Sequence, residues 1–373
     1  MSRWAQVTGW VRRNPWGSAA GGLGMLLVVG LGLWLGLRGD GVAPPATAAT
    51  TQPAASATTQ ATLPGGTVPG GPSTTQAPPS GEALDLLTGA PGQAGTVLAV
   101  KVDNAPDARP QVGLNQAGLL VEVPVEGGLT RFTAFYSGGD LPPLVGPVRS
   151  LRPVDAALLA PFSPVVAATG GQPFVVGEVE AAGAVLVDQD NSRAYQQLVR
   201  PAPHNVFVGP ELALEEVPGS PPALAPLPFG GGEPSGSGAS TIHIPYSSSS
   251  NVEWRFEEGS YRRYQNGEVF EVLAEEEGSP EPLTADTVVV LLAAQRSAGY
   301  TDSAGAEVPT FDIVGFGRLL VAHGGQVVEG QWLRGAQADP WQFVTASGEP
   351  LRLPEGRVAL VIVPRDLEVA ATP

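Results

Sequence analysis

Hydrophobic and polar positions alternate most cleanly at Val252–Glu257, where Val252, Trp254 and Phe256 are interleaved with Glu253, Arg255 and Glu257. A period of two predicts a strand with one buried and one wet face. Asn266-Gly267 then separates YRRYQ from EVFEV, and that dipeptide is what a two-residue hairpin turn demands. Apolar runs at Thr287–Leu292, Phe311–Val314, Leu319–Ala322, Val327–Leu333 and Arg357–Val363 predict further strands. Nothing in residues 240–364 keeps helical spacing for three turns, so this unit reads as mostly antiparallel β.

Upstream the pattern is mixed. Val97–Val102 predicts a short buried strand, Asp155–Leu159 a short helix closed by Pro161, and Pro164–Thr169 a strand broken by Gly170-Gly171. Glu178–Ala182 fits one helical turn and Ala184–Asp188 another strand, so residues 84–214 read as a mixed α/β unit and the whole as α+β. The β-rich runs Leu119–Val125 and Leu129–Tyr136 flank Gly127-Gly128, which predicts a tight hairpin. With Glu126 opposite Leu129, Glu122 falls opposite Thr133. One face then carries Val121, Val123, Val125, Phe132 and Ala134, and the other Glu122, Glu126 and Arg131. Pro124 lacks a ladder donor, which points to an edge position or a wider turn.

Before these units lie two segments of different character. Gly17–Leu37 is uncharged over 21 residues, enough to span a bilayer as one helix. Arg12 and Arg13 precede it, so residues 1–16 are expected in the cytoplasm and the remainder outside. A cleaved signal peptide is the alternative, with a small-residue site near Thr47–Ala49. Residues 38–83 are rich in Ala, Thr, Pro and Gly and cannot bury enough apolar surface to fold, so they read as a disordered tether. Residues 215–239 form a Pro/Gly/Ser-rich interdomain segment, and residues 365–373 a tail.

Composition narrows the function. Lys and Arg total 20 against 36 Asp and Glu, a net charge of −16, and three of the arginines precede the apolar segment. Such an acidic ectodomain repels phosphate backbones, which excludes nucleic acid as a partner. Cysteine is absent, so there is no disulfide, thiol nucleophile, thiolate metal site or Cys-linked lipid.

Several blocks in order, KVDNAPDARPQVGL, VEVPVEGGLTRF, GPVRSLRP, APHN, YRRYQNGEVFEV and VGFGRLLVAHGGQVVEGQW, resemble the YerB-like lipoproteins. That resemblance covers roughly Leu84–Pro364. It implies a membrane-attached bacterial cell-envelope protein of two successive domains of unknown function, with no established activity. The family often anchors through a lipidated Cys, whose place a transmembrane helix would take here. It also often has a His before the paired glycines, where this chain has Ala168-Thr169.

The chemistry-bearing residues are few. Asp103, Asn104, Asp107 and Arg109 occupy a loop after a strand, either as functional groups or as an Asx-turn with an ion pair. Glu122 and Glu126 could form an acid/base pair, or a Glu–Arg–Glu network through Arg131. Arg149 and Arg152 could grip a carboxylate or phosphate, or pair internally. His204, beside Asn205, is either a base or a hydrogen-bonded loop residue; His243 and His323 lack ligand spacing to it. Asp188-x-Asp190-x-Ser192 opens like a calcium loop but has Arg193 and Val199 where Gly and Glu belong.

The reading is therefore a non-catalytic envelope module without cofactor or metal. Its groove would comprise Asp103, Arg109, Glu122, Glu126, Arg131, Arg149, Arg152, His204 and Asn205, binding a cell-wall glycan, an anionic ligand or an envelope protein. The alternative is a hydrolase of wall polymers with Asp103 or Glu126 as base and His204 as acid. In a third reading every one of these charges is structural.

Overall fold

The computed structural model describes residues 84–92, 94–302 and 304–373. The apolar segment 17–37 and the tether 38–83 lie outside the described residues. Among the described residues no helix is long and apolar enough to cross a membrane.

The first half of the sequence contributes strands β1 (Leu98–Asp103), β2 (Leu119–Pro124), β3 (Thr130–Tyr136), β4 (Val165–Ala167) and β5 (Val185–Leu186). It also holds the hairpin of β6 (Tyr195–Gln197) and β7 (Val206–Val208). Its helices are α1 (Val154–Leu159), α2 (Pro173–Ala181) and α3 (Pro210–Glu216). The second half adds β8 (Thr241–Ser247), β9 (Ser250–Glu257), β10 (Ser260–Gln265) and β11 (Glu268–Val269). Then come β12 (Thr287–Thr301), β13 (Glu307–Asp312), β14 (Gly315–His323), β15 (Gln326–Arg334) and β16 (Gln342–Thr345). The last strands are β17 (Val358–Pro364) and β18 (Ala370–Thr372). The described chain is thus mostly β, with mixed and antiparallel sheets and few helices.

The two halves meet in one mixed sheet, in the order β16-β15-β14-β12-β17-β2-β3-β1-β4-β5. At its centre β17 runs parallel to both β12 and β2. Its run VALVIV is buried throughout, as a strand covered on both faces must be. One face packs on a second sheet, β11-β10-β9-β8-β18, through Phe132, Tyr136, Trp254 and Tyr261. The opposite face is covered by α1 and α2 together with Phe162, Trp341 and Leu227.

Local patterning is obeyed in the second sheet. Val252 and Trp254 are buried and Glu253 and Arg255 are not, as period two requires. Asn266 and Gly267 both take positive φ, 55° and 86°, between the paired Gln265 and Glu268. Gly267→Ala places a Cβ in that left-handed turn and is expected to cost about 1 kcal/mol, read as a lower urea midpoint at unchanged slope. The residues read as a tail end in β18, which pairs with β8. The Pro/Gly-rich segment is packed in part: Leu227 and Phe229 are buried, and Phe229 bridges Leu353.

The β2–β3 turn departs from expectation. It is a three-residue loop, Glu126-Gly127-Gly128, closed by Val125 N–H donating to the Leu129 carbonyl at 2.9 Å, with φ of 70° and 73° at the glycines. The register therefore places Glu122 opposite Phe132 and Val123 opposite Arg131, one residue from the two-residue hairpin. A one-residue slip exchanges faces. Glu122 shares its face with Phe132 and Ala134, while Arg131 lies on the other side with Val121 and Val123. Pro124 ends the strand beyond the last β17 partner, Glu122, so the wider turn rather than a sheet edge accommodates it.

Candidate functional site

Strands β12, β17, β2, β1, β4 and β5 all run in one direction, so their carboxyl ends share one rim of the sheet. In open α/β sheets that rim is where ligands settle, because loops and helix N-termini converge there. Asp103 ends β1, Glu126 follows β2, and Gly170-Gly171 follows β4 and leads into α2. The loop holding Arg149–Arg152 lies against the same rim: Arg149 N–H donates to the Lys101 carbonyl at 2.9 Å and Thr169 N–H to the Arg149 carbonyl at 3.1 Å.

Asp103 is the hub. His204 Nδ1 donates to its Oδ2 at 2.8 Å, and Arg149 Nε lies 3.0 Å from the same oxygen but off the hydrogen-bond line. The other oxygen accepts Ala105 N–H at 3.2 Å, the expected Asx-turn. His204 comes from the β6–β7 loop, 101 residues away in sequence. That loop is pinned by Arg200, which forks Glu276 and donates to the Pro110 carbonyl at 2.9 Å. The His204 ring is held through Nδ1, so its Nε2 is directed away from Asp103.

A second knot is closed on itself. Arg152 grips both oxygens of Glu126, with Nε at 2.8 Å, and Arg131 stands 3.8 Å from the same carboxylate while donating to the Ser150 carbonyl at 2.9 Å. Burial raises the Glu126 carboxyl, but the Arg152 hydrogen bond and the charges of Arg152 and Arg131 outweigh it, so its pKa is lowered. Burial and repulsion from Arg152 bring Arg131 down to about 10. Beneath lies Lys101, donating to Asp155 at 2.8 Å and to Thr133 at 2.7 Å.

The sheet separates Glu122 and Arg109 from this rim cluster. Glu122 is 1% exposed and takes Arg263 of the second half at 2.6 and 3.1 Å, with Thr130 donating at 2.6 Å. Asn104 donates to Thr130 at 2.7 Å and receives Arg109 Nε at 3.3 Å. The Glu–Arg–Glu network through Arg131 does not form, because the register sends its two carboxylates to opposite sides. Glu122 and Glu126 therefore cannot act together as an acid/base pair.

Of the nine candidates, the fold gathers Asp103, Glu126, Arg131, Arg149, Arg152 and His204 on one rim. Glu122 and Arg109 belong to the buried network between sheets, and Asn205 carries a backbone bond, its carbonyl accepting Leu198 N–H at 2.9 Å. Asp188 closes an Asx-turn on Asp190 and Asn191, and no cluster of metal-ligating side chains occurs among the described residues. Sequence reasoning missed Arg263 and Lys101. For Arg263 there was a signal: it sits two residues from Tyr261 and from Gln265, on the inward phase of β10.

Residues 87–220 match the N-terminal domain, and residues 242–359 the C-terminal domain, of the protein of unknown function DUF3048. A curated relative, "Putative lipoprotein YerB" of Bacillus subtilis (strain 168), is 34% identical over 113 residues, 30% of this chain and 34% of that protein. The match spans about a third of that relative. The crystal structure of the YerB protein from Bacillus subtilis aligns with a TM-score of 0.64 at 23% identity, covering 78% of this chain and 100% of that one. At that identity the likeness is one of fold.

Proposed function

The chain belongs to the DUF3048 family, with both of its domains present, and from that premise we propose that it is a cell-envelope module that recognises an anionic group at the Arg149–His204 rim. One observation carries this reading. Arg152 and Arg131 are spent on Glu126 and a carbonyl, whereas the terminal nitrogens of Arg149 make no hydrogen bond among the described residues, and its side chain is 27% exposed. A guanidinium held by its Nε end near Asp103 presents its fork to a carboxylate or phosphate. His204 is held against the same Asp103 oxygen beside it. In this reading the uncharged segment Gly17–Leu37 attaches the protein to the membrane and the described region faces outward, in keeping with a relative named as a lipoprotein.

Isothermal titration of the full-length protein with cell-wall fragments tests it. Arg149→Gln is expected to weaken binding by about 1.5–3 kcal/mol, more than tenfold, with the melting temperature nearly unchanged. Equal heats from wild type and variant would remove Arg149 from any binding role.

A second reading rests on the Asp103–His204 hydrogen bond of 2.8 Å, which orients the imidazole as a general base would be oriented. It makes the protein a wall-polymer hydrolase. Soluble muropeptides released by wild type and lost in His204→Gln would support it; no release from its own wall over a long incubation counts against it.

A further inference from the structure

Strand β12 outruns its sheet. Thr287–Ala293 are buried, whereas from Ala294 onward the strand is largely exposed and pairs with β13 alone, Ala294 opposite Asp312. The resulting arm belongs to the second half of the chain but reaches the first. Tyr300 meets Phe174 of α2 edge to face, with ring centroids 5.4 Å apart at 89°.

Between the arm and α1 and α2 is a cleft of about 560 Å³, lined among others by Glu178, Ala181, Ala182, Arg296, Phe311 and Val314. That volume lies in the range of small-ligand sites. Phe174, Glu178 and Ala181 recur at i, i+4 and i+7 and so form one stripe along α2, facing the arm. Glu178 and Arg296, which line the cleft on its two sides, each stand four residues along their element from one member of the Phe174–Tyr300 pair. Phe174 is 48% exposed, an apolar ring left open to solvent. Two rings offer far too little area for a protein interface, which needs hundreds of Å² per partner. They suit a single flat ring whose C–H groups meet the negative face of an aromatic. The cleft is lined by apolar Phe311, Val314 and alanines together with polar Glu178, Arg296 and Asp312, matching a molecule with both C–H and hydroxyl surfaces.

We infer that this interdomain cleft binds an oligosaccharide carrying acidic groups, one pyranose ring resting on Phe174 and Tyr300. The placement of the acidic substituent rests on the anion-recognition reading. The cleft and its aromatic end stand apart from it, because Arg149 is not among the residues that form them.

The test is isothermal titration of the full-length protein with three probes: chitohexaose, an oligosaccharide alternating N-acetylglucosamine with glucuronate, and inorganic phosphate. Wild type is expected to bind both oligosaccharides, the acidic one more tightly. Phe174→Ala should weaken each by about tenfold while leaving phosphate binding unchanged. Ala181→Trp, which fills the cleft from an exposed helix position, should abolish both. Arg149→Gln should lower affinity for phosphate and the acidic oligosaccharide but not for chitohexaose. If Phe174→Ala and Ala181→Trp bind both oligosaccharides as wild type does, the glycan inference fails, even with phosphate binding intact. If only the Arg149→Gln effects are missing, the anion reading fails and the glycan site stands.

Discussion

Arg263→Ala is expected to destabilise the protein by about 3–5 kcal/mol, the cost of leaving a buried carboxylate without its partner. The Arg263 side chain is 0% exposed and forks Glu122, itself 2% exposed at the side chain, while lying 4.2 Å from the Phe270 ring centroid. Removing it strands Glu122 between two sheets, where water cannot replace the lost hydrogen bonds. The loss should appear as a lower urea midpoint. Replacing both members by apolar residues of similar volume, Glu122→Leu with Arg263→Met, should recover most of it, because the desolvation of two charges offsets their attraction. A single variant within about 1 kcal/mol of wild type would mean that the pair does not join the halves.

Asp155→Ala is expected to be as costly near neutral pH, for a different reason. Asp155 is 0% exposed and serves two partners, Lys101 Nζ at 2.8 Å and Arg152 N–H at 2.6 Å, the second holding the start of α1. Burial already lowers the Lys101 pKa from 10.5, and the charge and hydrogen bond of Asp155 oppose that fall. Without it, folded Lys101 gives up its proton earlier still, while the unfolded chain keeps its proton up to 10.5. Between the two values the unfolded state binds more protons, so stability of the variant rises with pH. Unfolding midpoints at about pH 7 and about pH 10 should therefore differ more in Asp155→Ala than in wild type. A pH-independent loss would show that Lys101 is not the stranded group.

Much of the architecture was readable one strand at a time. Val252 and Trp254 faced inward as their alternation required, and Asn266-Gly267 turned where the dipeptide placed it. The turn at Gly127-Gly128 was located but misread in length. Both two- and three-residue loops accept glycines at positive φ, and nothing local to EGG chooses between them. That single residue moved Glu122 to the face opposite Arg131. Helix α2 was longer than the one turn expected at Glu178–Ala182, because Pro173 at its start preorganises a first turn that apolar spacing does not mark.

The rim cluster was half legible. Asp103, Arg149 and His204 stood out as polar residues in loops, and those three do converge. Phe174 and Tyr300 did not stand out, since an exposed ring and a buried one look alike in a sequence.

Taken alone, the sequence determined the acidic charge, the absence of thiol chemistry, the β-rich character and the loops carrying candidate groups, because composition and period-two patterning act within a few residues. Only the tertiary structure decided which partner each charge takes: Glu122 finds Arg263 across 141 residues, and Asp103 finds His204 across 101. The physical reason is that a strand's register sets the face of every side chain on it, and register follows from turn geometry and from which sheet closes over it.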